Sequence, residues 1–226
     1  MNSPHLRLAM QLAGRGRLEG HPPGDVDGAR FEGRFVVFGL FDHDAPVFGE
    51  DVSLFAADAV AEFGRGPQSA HLVAIRSGIT LEGFVTDHDS DFQGHTFGRS
   101  SSETRFRVYF DASPDGSRSF DDRASFQRGE LVATYKAEEF FQIDPRAGVF
   151  DTRVNYSLLE STPFTFNGRT IDFADLYPAM VEMSHGHNPE PDPSPEIIPD
   201  EPPFSSRGPG VFANRFPVGG TLFALT

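Results

Sequence analysis

From Phe31 to about Phe173, apolar residues recur at every second position in runs broken by Gly, Pro and Asp. A period of two marks strands with one buried face, so the pattern predicts mostly antiparallel β-structure. The clearest runs are GELVATYKAEEFFQI (129–143) and GVFDTRVNYSLLEST (148–162). Leu131, Ala133, Tyr135, Ala137, Phe141 and Ile143 share one face of the first; Phe150, Thr152, Val154, Tyr156 and Leu158 share one face of the second. The DPRA loop between them fits a hairpin. Pairing Ile143 with Gly148 superimposes the apolar faces and sets Glu138 opposite Arg153 on the other face.

A second hairpin is predicted from HLVAI, the tight RSG and ITLEGFV, with Gly78 in the left-handed turn position. Pairing Ile75 with Ile79 then puts Val73 across from Leu81 and His71 across from Gly83. RFEGRFVVFGLF and TRFRVYF read as further strands, the latter leaving through the turn-forming DASPDGS. VSLFAADAVAEFG and FADLYPAMVEM read as short helices, the second limited by Pro178.

Closure removes unpaired strand edges, so the fold expected is an all-β, mostly antiparallel, closed or nearly closed β-barrel with an apolar interior, a few short helices and a Pro-rich C-terminal arm. A two-sheet sandwich is the alternative. The chain divides into an N-terminal extension (1–30), the barrel (31–187), the arm (188–209) and an apolar C-terminal segment (210–226) that docks on the barrel or on a neighbouring subunit. The arm holds eight prolines and five acids, which exclude a ladder or a helix interior. In general plan such a barrel resembles lipocalins and allene oxide cyclases. The lipocalin Gly-x-Trp signature is absent, since the chain has no tryptophan, and plan alone implies no activity.

Composition sharpens this picture. Twenty-four phenylalanines in 226 residues must line a core or a cavity. A net charge of -14 argues against nucleic acid and anionic membrane as partners. With no cysteine there is no disulfide, thiolate nucleophile or Cys-ligated metal. The first twenty residues carry an apolar run broken by Gln11 and Arg15, too short for a signal or a membrane span, so a cytoplasmic protein is expected.

TDHDSDFQGHTFG (86–98) begins like a calcium loop, with Asp87, Asp89 and Asp91 alternating, but Phe92 and Gly98 stand where an EF-hand needs Gly and Glu. His88 and His95 match no recognised ligand spacing. HGHNPE (185–190) resembles the cupin His-x-His…Glu motif but departs in spacing and runs into prolines. No metal and no cofactor are therefore expected.

The sharper signal is polar residues on apolar faces. Glu139 points inward between Ala137 and Phe141, opposite Thr152; Tyr135 and Tyr156 face each other; His71 lies inward beside Val73. A carboxylate in an apolar interior has a raised pKa, and a nearby histidine can share its proton. The catalytic candidates are thus Glu139, His71, Tyr135 and Tyr156. Phe141, Phe150, Thr152, Val73 and Leu81 are the ligand-binding candidates.

The leading expectation is a cofactor-independent cyclase or isomerase acting on an apolar small molecule in a Phe-lined cavity. The alternatives are a hydrophobic-ligand carrier, a metal-dependent enzyme using His88, His95 or the His185/His187 pair, and an assembly subunit that forms a homo-oligomer through its arm.

Overall fold

The computed structural model describes residues 6–20, 28–49, 52–85, 96–144, 149–187 and 212–225. The elements in chain order are β1 (Leu6–Gly20), β2 (Arg30–Asp42), β3 (Ala45–Pro46), α1 (Ala57–Phe63), β4 (Leu72–Val85), β5 (Thr96–Ser100), β6 (Arg105–Phe110), α2 (Arg123–Phe126), β7 (Glu130–Asp144), β8 (Val149–Ser161), β9 (Phe164–Phe166), β10 (Arg169–Ile171), α3 (Phe173–Leu176), β11 (Ala179–His187) and β12 (Phe212–Leu225). Among the described residues no helix is long and apolar enough to cross a membrane.

Antiparallel pairing runs β1–β2–β4, then through β5 and β6 in turn to β7, and on through β8, β11 and β12 back to β1. Because β5 and β6 share one position, the result is a closed eight-stranded barrel. The alternative of a sandwich is thereby removed.

Two segments that the hydrophobic pattern set outside the barrel close it. Residues 6–20, read as part of an extension, are β1, and 212–225 are its neighbour β12, paired with it from Leu6↔Leu225 to Gly20↔Phe212. Glycines on the inner face of β1 masked its period: the side chain missing at Gly16 is replaced by the rings of Phe31 and Phe216. The Pro-rich arm lies outside the described residues, as does most of the Asp/His-rich loop.

The second predicted hairpin is one continuous strand. After His71, LVAIRSGITLEGFV forms β4 throughout, with a register shift: Gly33 pairs with Arg76, and Phe31 with Ile79. Gly78 has the expected positive φ of 76°, but it marks a bulge and not a turn. The interruption between β5 and β6 lies opposite, and a Cβ on Gly78 would meet the carbonyl oxygen of Glu103 at 2.8 Å. Gly78→Val is therefore expected to cost about 1–3 kcal/mol through backbone strain, read as a lower urea midpoint.

From Tyr135 onward the β7–β8 hairpin has its faces as expected and its register displaced by two residues; before it, a register shift opposite Val108 and Tyr109 turns Leu131, expected inside, out to an exposed position. Ile143 pairs with Phe150, Glu139 with Val154 and Glu138 with Asn155, so Arg153 faces Phe140, and Glu138 pairs with Lys136 instead. An even displacement keeps Tyr135, Ala137, Glu139 and Phe141 on the inner face. Of the two predicted helices, α1 forms; the other is a single turn, α3, capped by Asp172, after which β11 begins past Pro178.

The two barrel ends differ. At one, β9, β10 and α3 fold across the opening, packing Phe164 and Phe166 on Phe110, and Phe173 on Phe164 and Tyr177. At the other, where β1, β4, β7 and β11 finish, Phe31, Phe141, Phe150 and Phe216 stack at centroid distances of 5.6 to 6.0 Å. On the outer wall the segment after β6 is tied down by buried Glu32, which accepts from Arg34 and Arg123, while Arg34 also donates to the Phe120 carbonyl.

Candidate functional site

Between the two ends, four polar side chains meet inside the apolar barrel: Arg76 from β4, Glu139 from β7, Tyr156 from β8 and Glu182 from β11. All are essentially inaccessible to solvent. Strand alternation explains their meeting. Val154 pairs with Glu139 on one side and Glu182 on the other, which puts both carboxyl groups on the inner face flanking one small side chain. Arg76 immediately precedes the β4 bulge, a feature that re-aims side chains, and it pairs with Gly33, which has none to obstruct it.

Arg76 Nη1 donates to Glu182 Oε2 at 3.0 Å and to the Tyr156 hydroxyl at 3.1 Å. Tyr156 in turn donates a short hydrogen bond to Glu182 Oε2. Arg76 Nη2 lies 3.6 Å from Glu139 Oε1, an ion-pair distance too long for a hydrogen bond. The guanidinium sits over the rings of Phe31 and Phe35, 5.7 and 5.4 Å from their centroids. Gly220 of β12 leaves the space Glu182 occupies, for a Cβ there would come within 2.6 Å of Glu182 Oε1.

Arg76 Nε and Nη2, both oxygens of Glu139, and Glu182 Oε1 are buried without a hydrogen-bond partner. Interiors satisfy the great majority of such atoms, and each one left over costs about 1–3 kcal/mol. Five of them converging on one centre is the pattern of a site that receives polar atoms from elsewhere.

Electrostatics separates the four groups. Burial pushes Glu139 above the ordinary carboxylate range; Arg76 opposes this and Glu182 reinforces it. Burial works against the Arg76 charge, but Glu139 and Glu182 outweigh it and hold the guanidinium protonated. Tyr156 is raised well above its usual value by burial and then by Glu182, so it acts as a hydrogen-bond donor. The centre thus combines a fixed cation, a carboxyl whose proton is held more tightly than usual, and an ion pair.

Of the residues singled out from sequence, Glu139 and Tyr156 stand in this centre. Phe141 and Phe150 belong to the aromatic stack above it, and Leu81 is buried past the bulge. Thr152 bonds the Ser184 hydroxyl. The Tyr135 ring packs on Tyr156 at 6.1 Å, but its hydroxyl donates to the Tyr177 carbonyl.

His71 is not part of the site. Its Nδ1 meets the Asp111 carbonyl at 2.8 Å and its ring packs on Phe166, 4.6 Å away, where the short hairpin crosses the barrel end. Val73 alternates with Arg76 on β4 and so lies on the opposite face. Both displacements follow from reading a bulged strand as a hairpin. Arg76 and Glu182 were missed for related reasons: the first stood in a supposed turn, the second in a supposed helix. Their signal is nonetheless present, since Leu72, Ala74 and Arg76 continue one alternation and Met180, Glu182 and Ser184 another.

Among the described residues no three His, Cys, Asp or Glu side chains converge as a metal site would require. His185 pairs with Asp151 at 2.7 Å on the outer wall. His88 and His95 lie outside the described residues. Comparison with protein-family models, curated proteins and solved structures gives no match for this chain. The site itself therefore carries the functional reading.

Proposed function

We propose that the barrel is an enzyme that takes a small, mainly apolar molecule into its aromatic interior and moves a proton on it, as an isomerase or cyclase does. The observation that carries this reading is the set of unpartnered polar atoms on Arg76, Glu139 and Glu182. Such chemistry needs a group that takes a proton at one atom and returns it at another, and a cation to stabilise the oxyanion that develops between the two events. Glu139 fits the first role, because nothing donates to its carboxyl and burial brings its pKa up. Arg76 fits the second, with two free N–H groups on one edge of a guanidinium fixed by Glu182, Tyr156 and two phenylalanine rings. Glu182 and Tyr156 are positioning residues. The surrounding rings exclude water and strengthen each electrostatic contact.

The test uses the bound molecule without knowing its identity in advance. Wild-type and Glu139→Gln protein are purified from the same host, equilibrated in D2O and extracted, and the small molecules are weighed by mass spectrometry. The expected result is one scaffold in both samples, deuterated in the wild type and unlabelled in the variant. Unlabelled ligand in both would make the barrel a carrier, and absence of any ligand would remove the reading.

A further inference from the structure

Resting on that reading of the centre, we infer that its ligand is an uncharged conjugated carbonyl compound, a ketone or enone, whose oxygen sits on the Nε–Nη2 edge of Arg76.

Charge decides between a neutral and an anionic oxygen. Arg76 already faces two carboxyl groups in a volume closed to solvent, and one of them, Glu182, takes the Nη1 hydrogen bond. Bringing a carboxylate or phosphate into this centre would place a further negative charge among them, at a desolvation cost that no second cation among the described residues offsets there. A neutral carbonyl oxygen brings no such charge. It accepts from the two N–H groups left over on Arg76 and from a protonated Glu139 carboxyl, satisfying atoms that otherwise remain buried and unpaired.

Shape decides the rest of the molecule. Phe31 and Phe35 already flank the guanidinium, and the Phe31, Phe141, Phe150 and Phe216 rings above it are stacked or tilted on one another. A flat conjugated body offers such rings a face to stack on, whereas a branched aliphatic one does not. Conjugation also suits proton transfer at Glu139: in its ionised form the carboxylate takes a proton from the carbon beside the carbonyl, leaving a dienolate whose negative oxygen is held by Arg76, and the carboxyl so formed returns a proton, exchangeable with solvent, at the far carbon, which moves the double bond with no net change in atoms or electrons.

Equilibrium dialysis of the full chain with three flat probes of equal size tests this: 2-acetylnaphthalene as the neutral ketone, 2-naphthoate as the anion and 2-ethylnaphthalene as the hydrocarbon. The ketone is expected to bind at least tenfold more tightly than either of the others, and Glu139→Gln is expected to retain that preference. Tighter binding of naphthoate would overturn the neutral-carbonyl assignment while leaving the proton-transfer reading to its own deuterium test. Equal binding of ketone and hydrocarbon would show that Arg76 contributes nothing to recognition and would overturn the assignment as well.

Discussion

Arg76→Met is expected to destabilise the protein by about 3–5 kcal/mol, the usual consequence of removing one partner from a buried ionic group. The substitution keeps much of the side chain's length and its packing between Phe31 and Phe35, but leaves Glu139 and Glu182 inside the barrel without a cation. Tyr156 also loses the donor that orients its hydroxyl. Urea denaturation at neutral pH reads the loss directly. The triple variant Arg76→Met/Glu139→Met/Glu182→Gln is expected to recover most of it, because it removes the stranded charges together and keeps an acceptor for Tyr156. Recovery in the triple variant and loss in the single one would show that the ionic centre is not there to stabilise the fold.

The second large effect lies in pH. Glu139 has its pKa raised in the folded protein, first by burial, so the folded chain holds a proton that the unfolded chain releases. Below the usual carboxylate value, near 4.5, both states are protonated and the neutral carboxyl costs nothing extra. As pH rises through that value the unfolded state ionises first. Stability is then lost, by up to about 1.4 kcal/mol per pH unit, until the folded-state value is passed. Glu139→Gln is neutral throughout and has no such slope. Its stability relative to the wild type is expected to climb as pH rises above about 4.5, measured as the difference in urea midpoints. A constant difference would place the Glu139 pKa at its ordinary value and remove the acid–base role.

The parts of this architecture legible in sequence are those that depend on parity alone. Alternation on β7 puts Glu139 inside whatever the register, provided it slips by an even number, and the slip seen is two. Alternation on β8 does the same for Phe150 and Tyr156. What sequence could not reveal is where a positive-φ glycine turns the chain back and where it merely bulges it. Gly78 suits both, and only the pairing of β4 with β2 and with β5 and β6 selects the bulge. That single choice displaced His71 and Val73 and hid Arg76. The glycines of β1 hid a barrel strand for a different reason: the side chain missing at Gly16 is supplied by Phe31 of β2 and Phe216 of β12, and at Gly14 the β2 backbone leaves no room for one. The long-range meeting of Arg76, Glu139 and Glu182 needs barrel closure, which no local pattern encodes.

The central claim is that this buried centre exists to hold a ligand. Native mass spectrometry of the wild type beside the Arg76→Met/Glu139→Met/Glu182→Gln variant, both purified from one host and of comparable stability, tests it most directly. The expected spectra show one small molecule per wild-type chain and none on the variant. The same molecule on both proteins, or on neither, would contradict the claim.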